Sequence, residues 1–241
     1  MQWALAFLAA AGIGISKSGL PGVSLLHVVV FAQLFPGLAS TGVVLPMLIV
    51  GDVGAVLLFR RHARWAHVFR TLPPALIGVG VGWWLMGRFP DARWNPVIGG
   101  IVLALALLQI GRNWRPASFA TVPHTRMFAW TVGFVAGVVT MLANAAGPVM
   151  ALYLMAVSLP KDAFVGTAAW FFLLINVIKV PFSAQLGLIN APSIAFNALM
   201  VPAIAFGLFA GRALVARLPQ RLFDTLVLAF AILAALKLSL A

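Results

Sequence analysis

A chain of 241 residues that is 63% hydrophobic and only 8% charged lies far from the roughly one-quarter charged composition of soluble domains. Its mean hydropathy of +1.08 marks an integral membrane protein and leaves no room for a separate soluble domain. The net charge of +12 then reads as membrane topology and not as a nucleic-acid surface, and the lack of cysteine excludes disulfides, thiolate chemistry and cysteine metal sites.

The first residues, MQWALAFLAAAGIGIS, lack the basic n-region and small-residue cleavage site of a signal peptide, so they are expected to remain as a membrane segment. Segments 1–16 and 22–35 are both short and are joined by GISKSGLPG, Gly14 to Gly22. They are predicted to form two half-depth helices of a re-entrant hairpin, whose broken backbone needs cover from protein or from a water-filled cavity. Apolar runs of about membrane-spanning size follow at 37–59, 72–86, 96–110, 127–142, 163–178, 191–211 and 225–236.

Orientation comes from the cations. FRRHARWAHVFR carries Arg60, Arg61, Arg64 and Arg70 with no acid among them, which fixes that loop on the cytoplasmic side. Trp65, Val68 and Phe69 share one helical face there, so the segment also fits a short interfacial helix over anionic lipid. The connector GRNWRPASFATVPHTR, with Arg112, Arg115 and Arg126, falls on the same side. The topology that follows is multi-pass with both termini outside, and a bacterial inner membrane is the expected location.

The second half repeats the order of the first. GFVAGVVTMLANAAGPV parallels GIGISKSGLPGV, LPKDAFVGT parallels FPGLASTGV, and FFLLINVIKVP parallels PMLIVGDVGAV, at an offset of about 124 to 126 residues. A hairpin plus three crossings per repeat is an odd number, so the repeats are expected to be inverted. The uncharged loop SAQLGLINAP, counterpart of the arginine loop, agrees with that inversion. The predicted fold is an all-α membrane protein of two inverted repeats, 1–111 and 127–241, joined by a cytoplasmic connector, 112–126.

Ionisable groups at membrane depth cost several kcal/mol unless paired or hydrated, so they head the search for function. They are Lys17, Asp52 and Lys179. Lys17 sits in the first hairpin break, where helix ends leave free N–H groups and glycines let them converge on an anion. Ser16 and Ser18 add hydroxyls, Gly19 and Gly22 allow close approach, and Pro21 can open the next half-helix. The second break, LANAAGP, offers Asn144, Gly147 and Pro148. These residues form the candidate substrate site, with Asp52, Asn176 and Lys179 as candidates for coupling or gating.

Structural readings compete at each position. Lys17 can snorkel or pair with a carbonyl. Asp52 lies two helical turns before Arg60 and can reach toward that basic loop. Lys179, just before Pro181, reads as an interfacial anchor, and Asn176, the repeat counterpart of Asp52, as a hydrogen bond across helices. GVGVG at Gly78 to Gly82 and the Gly133/Gly137 pair read as packing faces. His27 is isolated, and His62, His67 and His124 fall in loops at no metal-ligand spacing. Most tryptophans, namely Trp3, Trp65, Trp83, Trp84, Trp94, Trp114 and Trp130, flank spans as interfacial belts do.

GISKSGLPG, LPMLIVGDVGAVLLFRRHARW, LPPALIGVGVGWWL, ANAAGP, FVGTAAWFFLLINVIKVP and RLPQRLFDTLVLAFAILAALKL, in that order, resemble the TauE/SafE family of sulfite and organosulfonate exporters. The resemblance runs from about residue 10 to the C-terminus. It implies transport of small sulfur oxyanions and sulfonates, commonly as export, and carries a substrate role onto Ser16, Lys17, Gly19, Gly22, Gly147 and Pro148. Family members usually have SKGGFGGG where this chain has SKSGLPG, and a histidine where Asn144 stands.

The leading expectation is therefore a secondary transporter for a small anion, without cofactor, metal or catalytic residues. Its partners are the anion and the lipid bilayer, with a homodimer also considered and no nucleic acid. A monoanion leaving down an inside-negative potential of about 100 mV gains about 2.3 kcal/mol, so export needs no proton. An anion channel is the alternative. An intramembrane enzyme is disfavoured by the lack of glutamate, cysteine, paired intramembrane aspartates and any HExxH or GxSxG motif.

Overall fold

The structure, a computed structural model, describes residues 2–20, 23–35, 37–88, 94–114 and 125–215. Gly22, most of the connector and the expected span 225–236 lie outside them, as do Asp91, Arg93, Arg115, His124, Arg217, Arg221, Asp224 and Lys237.

In lipid each backbone polar group must be satisfied within its own segment, and the apolar runs accordingly form helices. In chain order these are α1 (Gln2–Lys17), α2 (Val23–Leu34), α3 (Ala39–Phe59), α4 (Trp65–Met86), α5 (Trp94–Trp114), α6 (Arg126–Ala143), α7 (Gly147–Ala156), α8 (Lys161–Gln185) and α9 (Ala191–Val215), with a 3-10 turn at Arg60–His62. Among the described residues five helices are long and apolar enough to cross a membrane, namely α3, α4, α6, α8 and α9. The helix α2, the 96–107 part of α5 and α7 are shorter apolar helices.

Both hairpin breaks fall where they are expected, after Lys17 and between Ala143 and Gly147. The arms are not equal half-depth helices, however. α6 has 18 residues and qualifies as a crossing, whereas its return arm α7 has 10. The physical reason is packing: α6 lies along α4 over most of its length.

That contact is a glycine seam. A methyl group on Gly137 would overlap the backbone of Ala75, one on Gly133 the backbone of Thr71, and one on Gly78 the backbone of Phe134. Small residues spaced four apart let two backbones approach, as the sequence predicts for these positions. α1 and α9 meet in the same manner, with Gly207 against Ala11, Gly14 against the Ile204–Leu208 backbone and Gly211 against Ile15. Contacts advance in the same direction along both members, so α4 runs parallel to α6 and α1 parallel to α9.

α3 and α8 run antiparallel. Gly42, near the start of α3, meets Leu188 just beyond the end of α8, and Phe59 meets Gly166 near the start of α8. The Arg64 N–H donates to Thr167 Oγ1 at 2.9 Å, which ties the arginine turn to α8.

Three local expectations are corrected. The segment after the arginine loop is not a separate interfacial helix: Trp65 opens α4, which continues through Pro73 and Pro74 because Val68 and Thr71 are already buried. His67 is therefore helical, and its Nδ1 lies 2.8 Å from the Tyr153 hydroxyl of α7. Trp3, Trp65, Trp84 and Trp130 are exposed as belt residues should be, but Trp94 is buried in the core beside Ile98 and Trp83 is half-buried against Phe182.

Candidate functional site

α1 ends at Lys17, and Gly19 turns the chain away with φ of +114°, a conformation open to glycine and strained for other residues. The lysine stem runs along α3 at Gly51, where a methyl group would come within 3.2 Å of Lys17 Cγ. This placement carries the ammonium to Asp52, with Nζ 2.6 Å from Oδ1. The same ammonium stands 4.5 Å over the Phe172 ring of α8.

Asp52 is completely buried, and its Oδ2 accepts from Asn176 Nδ2 at 2.7 Å. One turn further along α8, Lys179 Nζ donates to Asn144 Oδ1 at 2.6 Å, to the Thr140 carbonyl at 2.7 Å and to Thr140 Oγ1 at 3.1 Å. Asn176 Oδ1, at 3.4 Å, is a fourth and longer acceptor, so the three donors of the ammonium are fully used. Asn144 closes α6 in the left-handed region, φ 53°, which asparagine tolerates better than most residues. Its Nδ2 donates to the Thr41 carbonyl of α3 at 2.8 Å.

An unbroken polar chain thus runs from Lys17 through Asp52, Asn176, Lys179 and Asn144 to the backbone of Thr41. It joins the two hairpin breaks across α3 and α8. It also holds two lysines against one aspartate, a formal excess of one positive charge when all three are ionised.

Beside this chain lies a cavity with about 50 Å³ open to the centre of a water-sized sphere. One water needs about 10–15 Å³ on that measure, so there is room for several waters or for an anion of a few heavy atoms. The first break contributes Ser16, Lys17 and Gly19, the second Asn144 and Gly147. Thr140, Asn176, Ser24 and His27 add polar groups, and Met150, Leu154 and Phe172 form apolar walls.

The structure sorts the expected site residues. Ser16, Lys17, Gly19, Asn144, Gly147 and Asn176 border the cavity. Ser18 does not: its hydroxyl donates to the Ile15 carbonyl at 2.7 Å and it packs at Gly211 of α9. Pro148 is buried in the first turn of α7, away from the lining. Asp52 and Lys179 stand behind the cavity wall as partners of lining residues.

The structural readings of the charged residues also change. Lys17 neither snorkels nor pairs with a carbonyl, because Asp52 is its partner. Asp52 does not reach toward Arg60. Lys179 is no interfacial anchor, being 1% exposed, since the face of α8 that bears it is turned toward the end of α6. Asn176 does bond across helices, to Asp52.

Sequence reasoning passed over Thr140, Phe172 and Ser24, and set His27 aside as an isolated histidine. Thr140 lies one turn before Asn144 and so on the same helix face, a spacing that could have flagged it. Ser24 and His27 are likewise three apart on α2. For Phe172 the sequence carries no comparable signal.

A family model described as sulfite exporter TauE/SafE matches residues 6–238. No curated protein and no solved structure matches the chain.

Proposed function

Because the chain belongs to the TauE/SafE sulfite exporter family, as a multi-pass membrane transporter and not an enzyme, we propose that it binds a small monoanion between its two hairpin breaks and exposes it alternately to each side. The observation that carries this reading is the cavity bordered from both breaks beside a buried network with one uncompensated positive charge. A monoanion neutralises that excess, whereas a neutral solute leaves it and a dianion overshoots it. A cationic side chain bordering a small cavity, as Lys17 does, is what a desolvated oxyanion requires.

Transport by inverted repeats fits the helix pairing. The sequence-equivalent helices α3 and α8 are antiparallel, and the α4/α6 contact is matched by the α1/α9 contact, as expected when equivalent elements exchange places about an in-plane axis. With the arginine turn inside, the membrane potential favours outward movement of an anion. Export of sulfite as the hydrogensulfite monoanion, or of an organosulfonate, across a bacterial inner membrane is accordingly the direction we assign.

Counterflow in proteoliposomes tests the function. Radiolabelled sulfite should accumulate transiently against unlabelled sulfite inside, saturate with concentration and be displaced by methanesulfonate. Linear flux without counterflow would mean a channel and overturn alternating access. Absence of flux for every sulfur oxyanion would overturn the substrate class.

A further inference from the structure

His27 projects from α2, a helix whose sequence otherwise gives no reason for a titratable group. Its side chain is 1% exposed, and neither ring nitrogen has a hydrogen-bond partner among the described residues. Burying a polar group without a partner is costly, and native structures do it rarely. His27 nevertheless borders the same cavity as Lys17, Asn144 and Asn176, with Ser24 beside it on the same helix face.

The other polar side chains around this cavity are already committed. The Lys17 ammonium faces Asp52, the Asn144 amide is used at both ends by Lys179 and Thr41, and the Ser16 hydroxyl donates to the Ile13 carbonyl at 2.8 Å. A neutral imidazole offers one N–H donor and one acceptor. His27 is thus a lining group whose donor is unclaimed.

We propose that His27 donates a hydrogen bond to an oxygen of the bound anion and is a specificity-determining residue of the transporter. This rests on the anion-site reading above and deepens it. Lys17 and the excess network charge supply attraction for any monoanion, while His27 supplies a directed bond that an oxyanion can accept. Hydrogensulfite, the monoanionic form of sulfite, and methanesulfonate present such an oxygen; chloride, of the same charge, is spherical and presents none.

The test is calorimetric titration of the purified full chain with sulfite, methanesulfonate and chloride, for the unaltered protein, His27→Phe, His27→Gln and Asn144→Asp. His27→Phe should weaken both oxyanions by about ten- to a hundredfold, the worth of a hydrogen bond to a charged group. His27→Gln, which keeps a donor, should recover most of that loss. Without ligand, His27→Phe should melt no lower than the unaltered protein, because two unpartnered buried nitrogens are removed.

Unchanged oxyanion affinity in His27→Phe, with weakened binding in Asn144→Asp, would overturn the role of His27 and leave the site standing. Unchanged affinity in both variants would overturn the site as well. If His27→Phe does not fold, isotope-labelled histidine in the unaltered protein answers the question by NMR. Sulfite should then shift an imidazole signal that is missing from His27→Gln, and no shift would overturn the proposal.

Discussion

Asp52 of α3 and Asn176 of α8 are 124 residues apart in the chain and meet side chain to side chain, Oδ2 accepting from Nδ2 at 2.7 Å. They are also counterparts in the repeat read from the sequence. The contact therefore sits where the two halves of the chain face each other, and it relays position between Lys17, held by Asp52, and Lys179, held beside Asn176. A hydrogen bond of this kind within a membrane contributes about 0.6 kcal/mol on average and at most about 1.7, so its weight here is in alignment and not in bulk stability.

Asp52→Asn removes the counter-ion of Lys17 while keeping the shape of the side chain. Losing one partner of a buried pair costs about 3–5 kcal/mol, and the 10% exposure of Lys17 puts this case toward the low end. The ligand-free melting temperature is expected to fall, and sulfite should raise it by more than in the unaltered protein, because the anion replaces the missing charge. An equal rise in both proteins would show that the bound anion does not sense Lys17.

Asn144→Asp places a carboxylate against Lys179 with almost no change in volume, and aspartate tolerates the left-handed backbone there, at the loss of the donor to the Thr41 carbonyl. The network then carries no excess charge. Anion affinity measured by calorimetry should drop about tenfold or more, equivalent to about 1.4 kcal/mol, with folding retained. An unchanged affinity would remove the excess charge as the source of binding.

The glycine seams predict a sharp contrast within one helix-forming residue type. Gly137→Ala drives a methyl group into the Ala75 backbone and should sharply reduce the yield of folded protein. Gly80→Ala meets nothing within 4 Å and should leave the melting temperature unchanged or slightly higher. Similar behaviour of the two variants in detergent-solubilised size-exclusion profiles would contradict the close approach of α4 and α6.

Inversion is checked by labelling, and the cysteine-free chain gives no background. Arg61 and Gln185 are both exposed, Arg61 in the arginine turn and Gln185 at the last residue of α8. Gln185→Cys should react with an impermeant maleimide on intact cells, and Arg61→Cys only after permeabilisation. Reaction of both from one side would refute the antiparallel crossing of α3 and α8.

Much of this molecule was legible before any tertiary structure. Lys17 in GISKSGLPG and Asn144 in LANAAGP were readable as helix breaks because glycine, proline and asparagine interrupt apolar runs by local backbone chemistry. The Gly133/Gly137 face was readable because a spacing of four is a helix face wherever the helix goes. Ser18 was misplaced for the same reason: its neighbours border the cavity, but rotation about the end of α1 turns its hydroxyl back to Ile15.

The sequence by itself determined the solvent, the helical class, the position of both breaks and the family, all of which depend on composition, periodicity and ordered motifs along one dimension. Only the tertiary structure decided who partners whom. Lys17 chose Asp52 over solvent, Lys179 chose Thr140 and Asn144 over the interface, and His27 came to line the cavity with its ring nitrogens unpartnered, because each depends on which faces of separate helices are pressed together. Hydropathy measures how apolar a helix is and carries nothing about its rotation, and a few tens of degrees of rotation separate a buried ion pair from a lipid-facing charge.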